Sequence, residues 1–175
     1  MADLVLMAGA PGSGKTTLAQ KLVGERDTYI SRDDVRFSMI TEKDIYFSKE
    51  TEVLSTFVKR IDDALLTTER YVFADATHLT RGSRAKVLNN LKNKPDHIYV
   101  ILFDVPVETA LERNRQRKAR KLVPEPIIRN MHRSIEIPSH DEGIDATFIV
   151  DETGNIDFNR TIVYGKGDGV NDLFN

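Results

Sequence analysis

Residues 9–16, GAPGSGKT, combine residue types and spacing that can hold a polyphosphate. They fit the pattern G-x-x-x-x-G-K-[ST], in which glycines let successive backbone N–H groups turn inward around phosphate oxygens. Lys15 can then reach the β and γ phosphates, and the Thr16 hydroxyl can ligate Mg²⁺. The motif therefore predicts a site for ATP, with Mg²⁺ as cofactor. Its predicted contacts to the nucleotide are Gly12, Ser13, Gly14, Lys15, Thr16 and Thr17.

The segments around this motif predict how it is positioned. Short apolar runs alternate with longer segments of helical periodicity, which is typical of an α/β domain with a parallel sheet. We predict strands at residues 4–8, 28–31, 71–74, 97–103 and 146–150. Helices are predicted over residues 53–65 and after Pro106, which is placed to begin a helix. Ligands in such sheets bind beyond the carboxyl ends of the strands, so the residues after each strand are the candidates for chemistry.

Two aspartates and an arginine follow the second predicted strand. If a helix begins there, Asp33 and Arg36 project from one side of its first turn, near the expected γ phosphate. A carboxylate there can accept the proton of an attacking hydroxyl, and an arginine beside it can hold an anionic part of a substrate. An aspartate at this point can instead cap the helix. We therefore interpret Asp33 as a general base and Asp34 as structural.

The third apolar run ends at Asp75, which is followed by Ala76, Thr77 and His78. An acid at the end of a buried strand is typical of a Walker B element, which orients Mg²⁺ or its water shell. A strand that enters a turn also ends in aspartate for structural reasons alone. We expect Asp75 to support the metal, and His78 to be a surface or packed residue rather than a catalyst.

The densest basic cluster covers residues 112–121, ERNRQRKARK. Arg113, Arg117 and Arg120 recur at helical spacing, which predicts one helix face that carries several guanidinium groups. A lid of this kind can stabilise the charge on a transferred phosphoryl group and keep water out. A solvated basic helix end is the alternative. Pro124 and Pro126 suit the boundary of a lid.

Composition excludes several classes of function. The 175 residues suit one domain, and the formal charge of −2 argues against a surface that is basic throughout, so nucleic acid would need a local patch. The absence of cysteine excludes disulfides and thiol catalysis. Without an apolar run of membrane-spanning length or the pattern of a signal peptide, we expect a cytoplasmic enzyme with no membrane partner.

With these segments together, the chain resembles the kinase domain of bacteriophage polynucleotide kinase, a 5′-hydroxyl kinase that is often fused to a 3′-phosphatase. The resemblance runs from Leu4 to about Pro138. It rests on GAPGSGKTT, SRDDVRFSMI, ADATHL, FDVPVETALERNRQRKARKLVP and IIRNMHRSI. It implies a P-loop kinase fold over residues 1–150, with a central parallel sheet flanked by helices and a helical, arginine-bearing lid at about residues 113–138.

The resemblance also implies an activity and the residues that perform it. The γ phosphate of ATP, the nucleoside triphosphate donor, would pass to the 5′-hydroxyl end of DNA or RNA. Arg36 would bind the phosphate next to the terminal nucleoside, while Asp75 and Thr77 would lie on the substrate side, with Asp75 also supporting Mg²⁺ through water. The implied catalytic residues are Lys15, Asp33 and Arg117.

The chain departs from the pattern of this family at two points. Between Arg117 and Pro124 it carries one residue more than the family pattern, so Arg113 and Arg120 are alternatives for the lid arginine. Residues 151–175 are too short for a phosphatase domain, and the chain contains no D-x-D motif. We therefore expect a kinase without phosphatase activity, whose C-terminal extension is exposed and partly ordered.

Two other functions remain open from the sequence. A P-loop kinase of a small molecule, such as a nucleoside, sugar or antibiotic, would share Lys15, Thr16 and Asp33 but would not need Arg36 for a polynucleotide phosphate. A nucleotide-binding module without catalysis would need neither the base nor the lid arginines.

Overall fold

A six-stranded sheet forms the centre of the fold, and the computed structural model describes residues 1–164 and 172–174. The strands are β1 (Asp3–Ala8), β2 (Thr28–Ser31), β3 (Tyr71–Asp75), β4 (Ile98–Phe103), β5 (Ala146–Val150) and β6 (Ile156–Val163). Their order across the sheet is β2-β3-β1-β4-β5-β6. The first five are parallel, and β6 runs antiparallel to β5 at the edge. The predicted α/β fold is therefore confirmed, with an antiparallel edge strand added.

Helices connect the parallel strands and cover the sheet. They are α1 (Lys15–Leu22), α2 (Arg32–Met39), α3 (Glu50–Thr67), α4 (Arg81–Leu88), α5 (Val107–Arg115) and α6 (Glu125–Arg133). Short 3₁₀ turns lie at Ala119–Lys121, His140–Glu142 and Asp172–Phe174. Within the described ranges, no helix is both long enough and apolar enough to cross a membrane.

The apolar run of β1 is buried on both faces of the sheet. Leu4 and Leu6 belong to one apolar cluster, which also contains Phe57 of α3. Val5 and Met7 belong to a second cluster, which contains Ala19 of α1 and other residues. A strand that packs helices on both faces needs an apolar residue at every position, which explains the continuous run in the sequence.

The predicted strand bounds agree with the structure to within one residue. β3 includes Asp75, one residue beyond the predicted end, and β4 begins at Ile98 rather than His97. Pro106 stands at the N-cap of α5, as expected. The amphipathic segment 53–65 lies inside α3, and its Val53, Phe57 and Ile61 are fully buried.

Sequence patterns did not predict β6. Its side chains are half-buried or exposed along the whole strand, and Phe158 is 68% exposed. The strand therefore lacks the buried alternation that would mark it. It lies within the C-terminal extension expected at residues 151–175, of which residues 165–171 and 175 lie outside the described part of the chain.

The segment predicted as a lid consists of the end of α5, the turn Ala119–Lys121 and α6. The Asn114 amide closes the segment at its base, because Nδ2 donates to Val123 O at 2.8 Å and Oδ1 accepts from Val123 N at 3.1 Å. Ala110, Leu111 and Ile128 pack with Val123 in a small apolar cluster. The lid segment therefore has a small apolar core of its own.

A buried ion pair anchors the chain where it leaves this segment. The Arg84 side chain is fully buried and donates to both carboxylate oxygens of Glu142, at 2.7 and 2.9 Å. It also donates to the carbonyls of His78 and Glu136, both at 3.1 Å. Arg84 thus joins the loop after β3 to the loop after α6.

Candidate active site

A cavity of about 670 Å³ lies at the carboxyl ends of β1, β2 and β3, where the topology places ligand sites in such sheets. The P-loop, the start of α2, the chain before α3 and the lid segment all contribute to its walls. Predicted site residues that line it are Gly12, Gly14, Lys15, Thr16, Thr17, Asp33, Arg36, Asp75, Thr77, Arg113 and Arg117. Ser13 and Arg120 do not line it.

The P-loop adopts a conformation that depends on glycine. Gly12 has φ of 82° and Gly14 has φ of 102°, both in the left-handed region that side chains disfavour. A Cβ atom at Gly12 would also lie 2.3 Å from the carbonyl oxygen of Ala110. Glycine at position 12 is therefore required both by its φ and by the approach of α5.

Lys15 folds back over the loop that precedes it. Its Nζ donates to the carbonyls of Gly9 and Ala10, at 2.8 and 3.0 Å. Burial lowers the pKa of Lys15, and the carboxylates of Asp75 and Asp33 partly offset that effect. A bound phosphate would supply negative charge close to a cation that has already lost part of its water.

Ser13, a predicted nucleotide contact, is turned toward the interior of the loop. It is 3% exposed, and its backbone N–H donates to Ala10 O at 3.2 Å. Its carbonyl accepts a hydrogen bond from Arg113 Nη1 at 3.4 Å. In this conformation Ser13 stabilises the loop rather than facing the cavity.

Thr16 and Asp75 meet at one oxygen atom. Thr16 Oγ1 donates to Asp75 Oδ2 at 3.0 Å, and the Tyr29 hydroxyl donates to the same oxygen at 2.6 Å. A threonine hydroxyl and a carboxylate at the end of β3 supply the hard oxygen ligands that Mg²⁺ prefers. The described residues contain no cluster of three or more histidine, cysteine, aspartate or glutamate side chains that could hold a metal alone. The donor set therefore fits an ion that takes its remaining ligands from water and phosphate.

Asp33 and Arg36 form an ion pair one turn apart on α2. Arg36 Nη1 donates to Asp33 Oδ1 at 2.6 Å. The cap of α2 is Ser31, whose Oγ accepts from the Asp34 N–H at 3.2 Å. The structural role expected for Asp34 thus belongs to Ser31, because the residue just before the helix supplies the capping oxygen and the Asp34 side chain is exposed.

Arg36 is more enclosed than the sequence suggested. It is 5% exposed, and Glu50 Oε1 accepts hydrogen bonds from its Nε and Nη2, at 3.0 and 2.7 Å. The ring of Tyr46 lies under its guanidinium, with 4.4 Å between Cζ and the ring centroid. A substrate phosphate that binds Arg36 would therefore have to share the guanidinium with Asp33, Glu50 and Tyr46.

Among the lining residues that sequence reasoning missed, three hydrogen-bond to the side chains of predicted site residues: Tyr29, Tyr46 and Glu50. Tyr29 lies two residues before Ser31 in β2, so strand alternation places both on one side, and this signal was available. Glu50 begins α3 and could have been noticed as an acid in a first helical turn. Tyr46 lies in the connection between α2 and α3, where no pattern marks it.

The three candidate lid arginines do not share a helix face, and that prediction is wrong. α5 ends at Arg115, and Lys118 is extended, so the helical spacing does not persist to Arg117 and Arg120. Arg113 contacts the P-loop at Ser13 O, whereas Arg117 Nη2 lies 3.9 Å from Asp33 Oδ2. Arg120 donates to the carbonyls of Phe37 and Ile40 at the end of α2, at 3.3 and 3.2 Å.

The loop after β3 places Thr77 at the cavity and His78 in the core. The Thr77 carbonyl accepts from the Gly9 N–H at 2.9 Å, which ties this loop to the P-loop. His78 is 2% exposed and has a positive φ of 42°. Burial lowers the pKa of His78 to about 3, so it is neutral at physiological pH. Of the two placements expected for His78, on the surface or packed, the structure has the packed one.

The fold and the site together define a P-loop domain of the kinase type. A model of an AAA domain family matches residues 4–138, so the chain belongs to that family. No curated protein matches the sequence. The family match includes the P-loop, the Asp33–Arg36 pair, Asp75 and the lid segment.

Solved structures share this fold at low sequence identity. A putative kinase from Chloroflexus aurantiacus J-10-fl is 19% identical, with a TM-score of 0.69 and coverage of 90% of each chain. A sugar kinase from Janibacter sp. HTCC2649 is 18% identical, with a TM-score of 0.60 and coverage of 89% of this chain and 87% of that one. A chain of the Pnkp1/Rnl/Hen1 RNA repair complex is 23% identical, with a TM-score of 0.61 over 76% of this chain. The match spans only 43% of that chain.

Proposed function

We propose that this protein is an ATP-dependent polynucleotide kinase, which transfers the γ phosphate of ATP to the 5′-hydroxyl end of DNA or RNA. The position of Asp33 carries the kinase part of this proposal. Its carboxylate lines the same cavity as Lys15 and Thr16, and Arg36 orients it. A module that only binds nucleotide would need no such carboxylate beside its phosphate site.

In the proposed reaction Asp33 accepts the proton of the 5′-hydroxyl group. The hydroxyl oxygen then forms a bond to the γ phosphorus, and the bond from that phosphorus to the β–γ bridging oxygen breaks, so that ADP leaves. Lys15 would neutralise charge on the β and γ phosphates. Arg117, whose Nη2 lies 3.9 Å from Asp33 Oδ2, would stabilise the charge of the transferred group.

Thr16 and Asp75 are the residues that would hold Mg²⁺. When bound, the ion supplies positive charge that draws the β and γ phosphate oxygens into position. Asp75 is itself oriented by Thr16 and Tyr29, because both hydroxyls donate to its Oδ2. Within the described part of the chain no side chain donates to Asp75 Oδ1, the oxygen that would face the metal or its water shell.

Three observations support a polynucleotide as acceptor. The resemblance to bacteriophage polynucleotide kinase includes the R-D-D-x-R element, which contains both Asp33 and Arg36. The lid segment carries exposed basic residues between Arg115 and Lys121, which would attract the phosphates of a nucleic-acid strand. One structure with the same fold belongs to an RNA repair complex.

The alternative acceptor is a small molecule, such as a nucleoside, sugar or antibiotic. The burial of Arg36 favours this alternative, because a guanidinium that is 5% exposed and bonded to Asp33 and Glu50 offers little surface to a strand phosphate. A sugar kinase shares the fold. Both acceptors would use the same Lys15, Thr16 and Asp33.

The test is phosphate transfer from γ-labelled ATP with Mg²⁺ to matched DNA and RNA oligonucleotides that carry either a 5′-hydroxyl or a 5′-phosphate. We expect label on the 5′-hydroxyl strands alone. Asp33→Asn should lower turnover by about a hundredfold to ten-thousandfold while ATP binding is kept. Affinity for the strand should fall with ionic strength if phosphate contacts hold it. Absence of label on every strand, in a protein that binds ATP, would favour the small-molecule alternative.

Arg36→Ala separates the two roles open to that residue. If Arg36 binds a strand phosphate, the variant should raise the KM for the oligonucleotide. If Arg36 only orients Asp33, the variant should lower kcat and leave that KM near the normal value.

A further inference from the structure

Tyr46 and Arg36 both donate to the same oxygen atom of Asp33. The Tyr46 hydroxyl lies 2.6 Å from Asp33 Oδ1, and Arg36 Nη1 lies 2.6 Å from the same atom. Arg36 Nη1 is also 2.9 Å from the Tyr46 oxygen, so the three groups form a closed triangle. Among the described residues, Asp33 Oδ2 makes an ion pair with Arg117, whose Nη2 lies 3.9 Å away.

Two donors on one oxygen restrict the carboxylate. A single hydrogen bond would let Oδ1 shift around its donor, whereas two donors from different segments restrict rotation about the Cβ–Cγ bond more strongly. They also leave Oδ2 without a hydrogen-bond donor in the described structure. Oδ2 is then the oxygen on which a hydroxyl proton can arrive, because general base catalysis needs a free lone pair within hydrogen-bond reach.

The placement of Tyr46 is exceptional for its segment. Residues 41–45 and 47–49 are all exposed, and Tyr46 alone among residues 41–49 is partly buried. Its ring packs edge-on against Phe37, with 6.0 Å between ring centroids, and against Phe47, with 4.7 Å. The segment between α2 and α3 therefore inserts one side chain into the site.

Tyr46 remains a donor under the conditions of the reaction. Burial and the neighbouring Asp33 carboxylate raise the pKa of Tyr46 well above its usual value. Both effects disfavour the negatively charged phenolate form of Tyr46, and the pKa therefore rises. The hydroxyl is thus protonated throughout the physiological range.

We propose that Tyr46 is a positioning residue for the general base. With Arg36 it holds Asp33 Oδ1, so that Oδ2 faces the acceptor hydroxyl and takes its proton. This inference rests on the proposed function, because it requires Asp33 to act as the base. It assigns the segment between α2 and α3 a part in turnover that no sequence motif marks.

The experiment is a double-mutant cycle of Tyr46→Phe with Asp33→Asn, measured as steady-state transfer from ATP to a 5′-hydroxyl oligonucleotide. Tyr46→Phe keeps the ring and its packing on Arg36 but removes the hydroxyl. We expect it to lower kcat by about tenfold, a fraction of the contribution of a general base. The KM values for ATP and for the oligonucleotide should stay within about twofold of normal. In the Asp33→Asn background, Tyr46→Phe should cost no further turnover.

Tyr164→Phe is the matched control, because the Tyr164 hydroxyl donates to Pro138 O at 2.6 Å and takes no part in the cavity. It should leave kcat unchanged. ATP affinity and Tm measured on each variant show whether the fold is kept.

The outcomes separate the two proposals. A normal kcat for Tyr46→Phe, an equal loss in both backgrounds, or a change confined to KM would overturn the role of Tyr46 while leaving the base in place. Full turnover by Asp33→Asn would overturn Asp33 as the base, and with it the role of Tyr46, while phosphate transfer itself would stand. No transfer by the unaltered protein would instead overturn the proposed function.

Discussion

Thr16 Oγ1 donates a hydrogen bond to Asp75 Oδ2 at 3.0 Å, although the two residues are 59 positions apart in the chain. This contact joins the first turn of α1 to the end of β3. It exists because β1 and β3 are parallel neighbours, with Met7 opposite Asp75 in the register. The P-loop that follows β1 therefore begins beside the carboxylate.

Tyr29→Phe should weaken the response to Mg²⁺. The Tyr29 hydroxyl donates to Asp75 Oδ2 at 2.6 Å, and without it Thr16 is the one described side chain that still donates to this carboxylate. Residues that hydrogen-bond to a metal ligand tune the affinity for the metal. We therefore expect the Mg²⁺ concentration for half-maximal activity to rise about threefold to tenfold, with near-normal turnover at saturating Mg²⁺. A Mg²⁺ titration of activity checks this, with Tyr164→Phe as control. An unchanged titration would show that Tyr29 does not act through Asp75.

Gly12→Ala should weaken ATP binding for a steric reason. The new Cβ would lie 2.3 Å from Ala110 O, a backbone atom, at a residue whose φ is 82°. Gly154→Ala is the matched control, because Gly154 has nearly the same φ, 84°, but nothing within 4 Å of its Cβ position. Both variants carry backbone strain of roughly 1–2 kcal/mol. Only Gly12→Ala adds a steric clash to that strain. We therefore expect ATP affinity, measured by calorimetry, to fall at least about tenfold in Gly12→Ala and to stay near normal in Gly154→Ala.

Arg84→Met should destabilise the fold without touching the cavity. The change would leave the Glu142 carboxylate, whose side chain is 6% exposed, buried without its partner. We expect the free energy of unfolding to fall by about 3–5 kcal/mol, as measured by urea denaturation at neutral pH. Arg81→Met, which breaks the exposed pair with Asp141, serves as control and should leave the midpoint nearly unchanged.

The Arg84–Glu142 pair also predicts a pH dependence. Burial alone would raise the pKa of Glu142, but the hydrogen bonds and charge of Arg84, together with the hydrogen bonds of Ser139, outweigh burial and lower that pKa. A carboxyl group with a lowered pKa stabilises the fold above its unfolded value, near 4.5, and loses that contribution as the pH falls through the folded value. The unaltered protein should therefore lose stability below about pH 4.5 more steeply than Arg84→Met. Parallel urea titrations at several acid pH values would decide this.

Arg117→Ala and Arg120→Ala should have different kinetic effects. Arg117 faces the cavity near Asp33, so its loss should lower kcat by about a hundredfold or more if it stabilises the transferred phosphoryl group. Arg120 holds the lid segment to α2 through two backbone carbonyls, so its loss should mainly raise KM for the acceptor. Steady-state kinetics on both variants test the assignment. The reverse pattern would move the catalytic role to Arg120.

Local sequence patterns determined the sheet and the phosphate loop. Each parallel strand is a short run buried on both faces, so hydrophobicity along the chain was enough to locate it within one residue. The glycines, Lys15 and Thr16 act through the backbone conformation of one loop, which their spacing specifies. Asp33 and Asp75 follow from the same principle, because residues after neighbouring parallel strands must meet.

Only the tertiary structure decided which side chains surround those carboxylates. Tyr46 and Glu50 reach Asp33 and Arg36 because α3 packs beside α2, and no local period encodes that contact. Helical spacing predicted a shared face for the lid arginines, and this was wrong because α5 ends at Arg115 and the chain turns there. β6 carried no buried alternation because an edge strand is exposed. The sequence by itself thus determined where the P-loop and Asp33, the proposed base, lie, and the packing of distant segments decided how Asp33 is held.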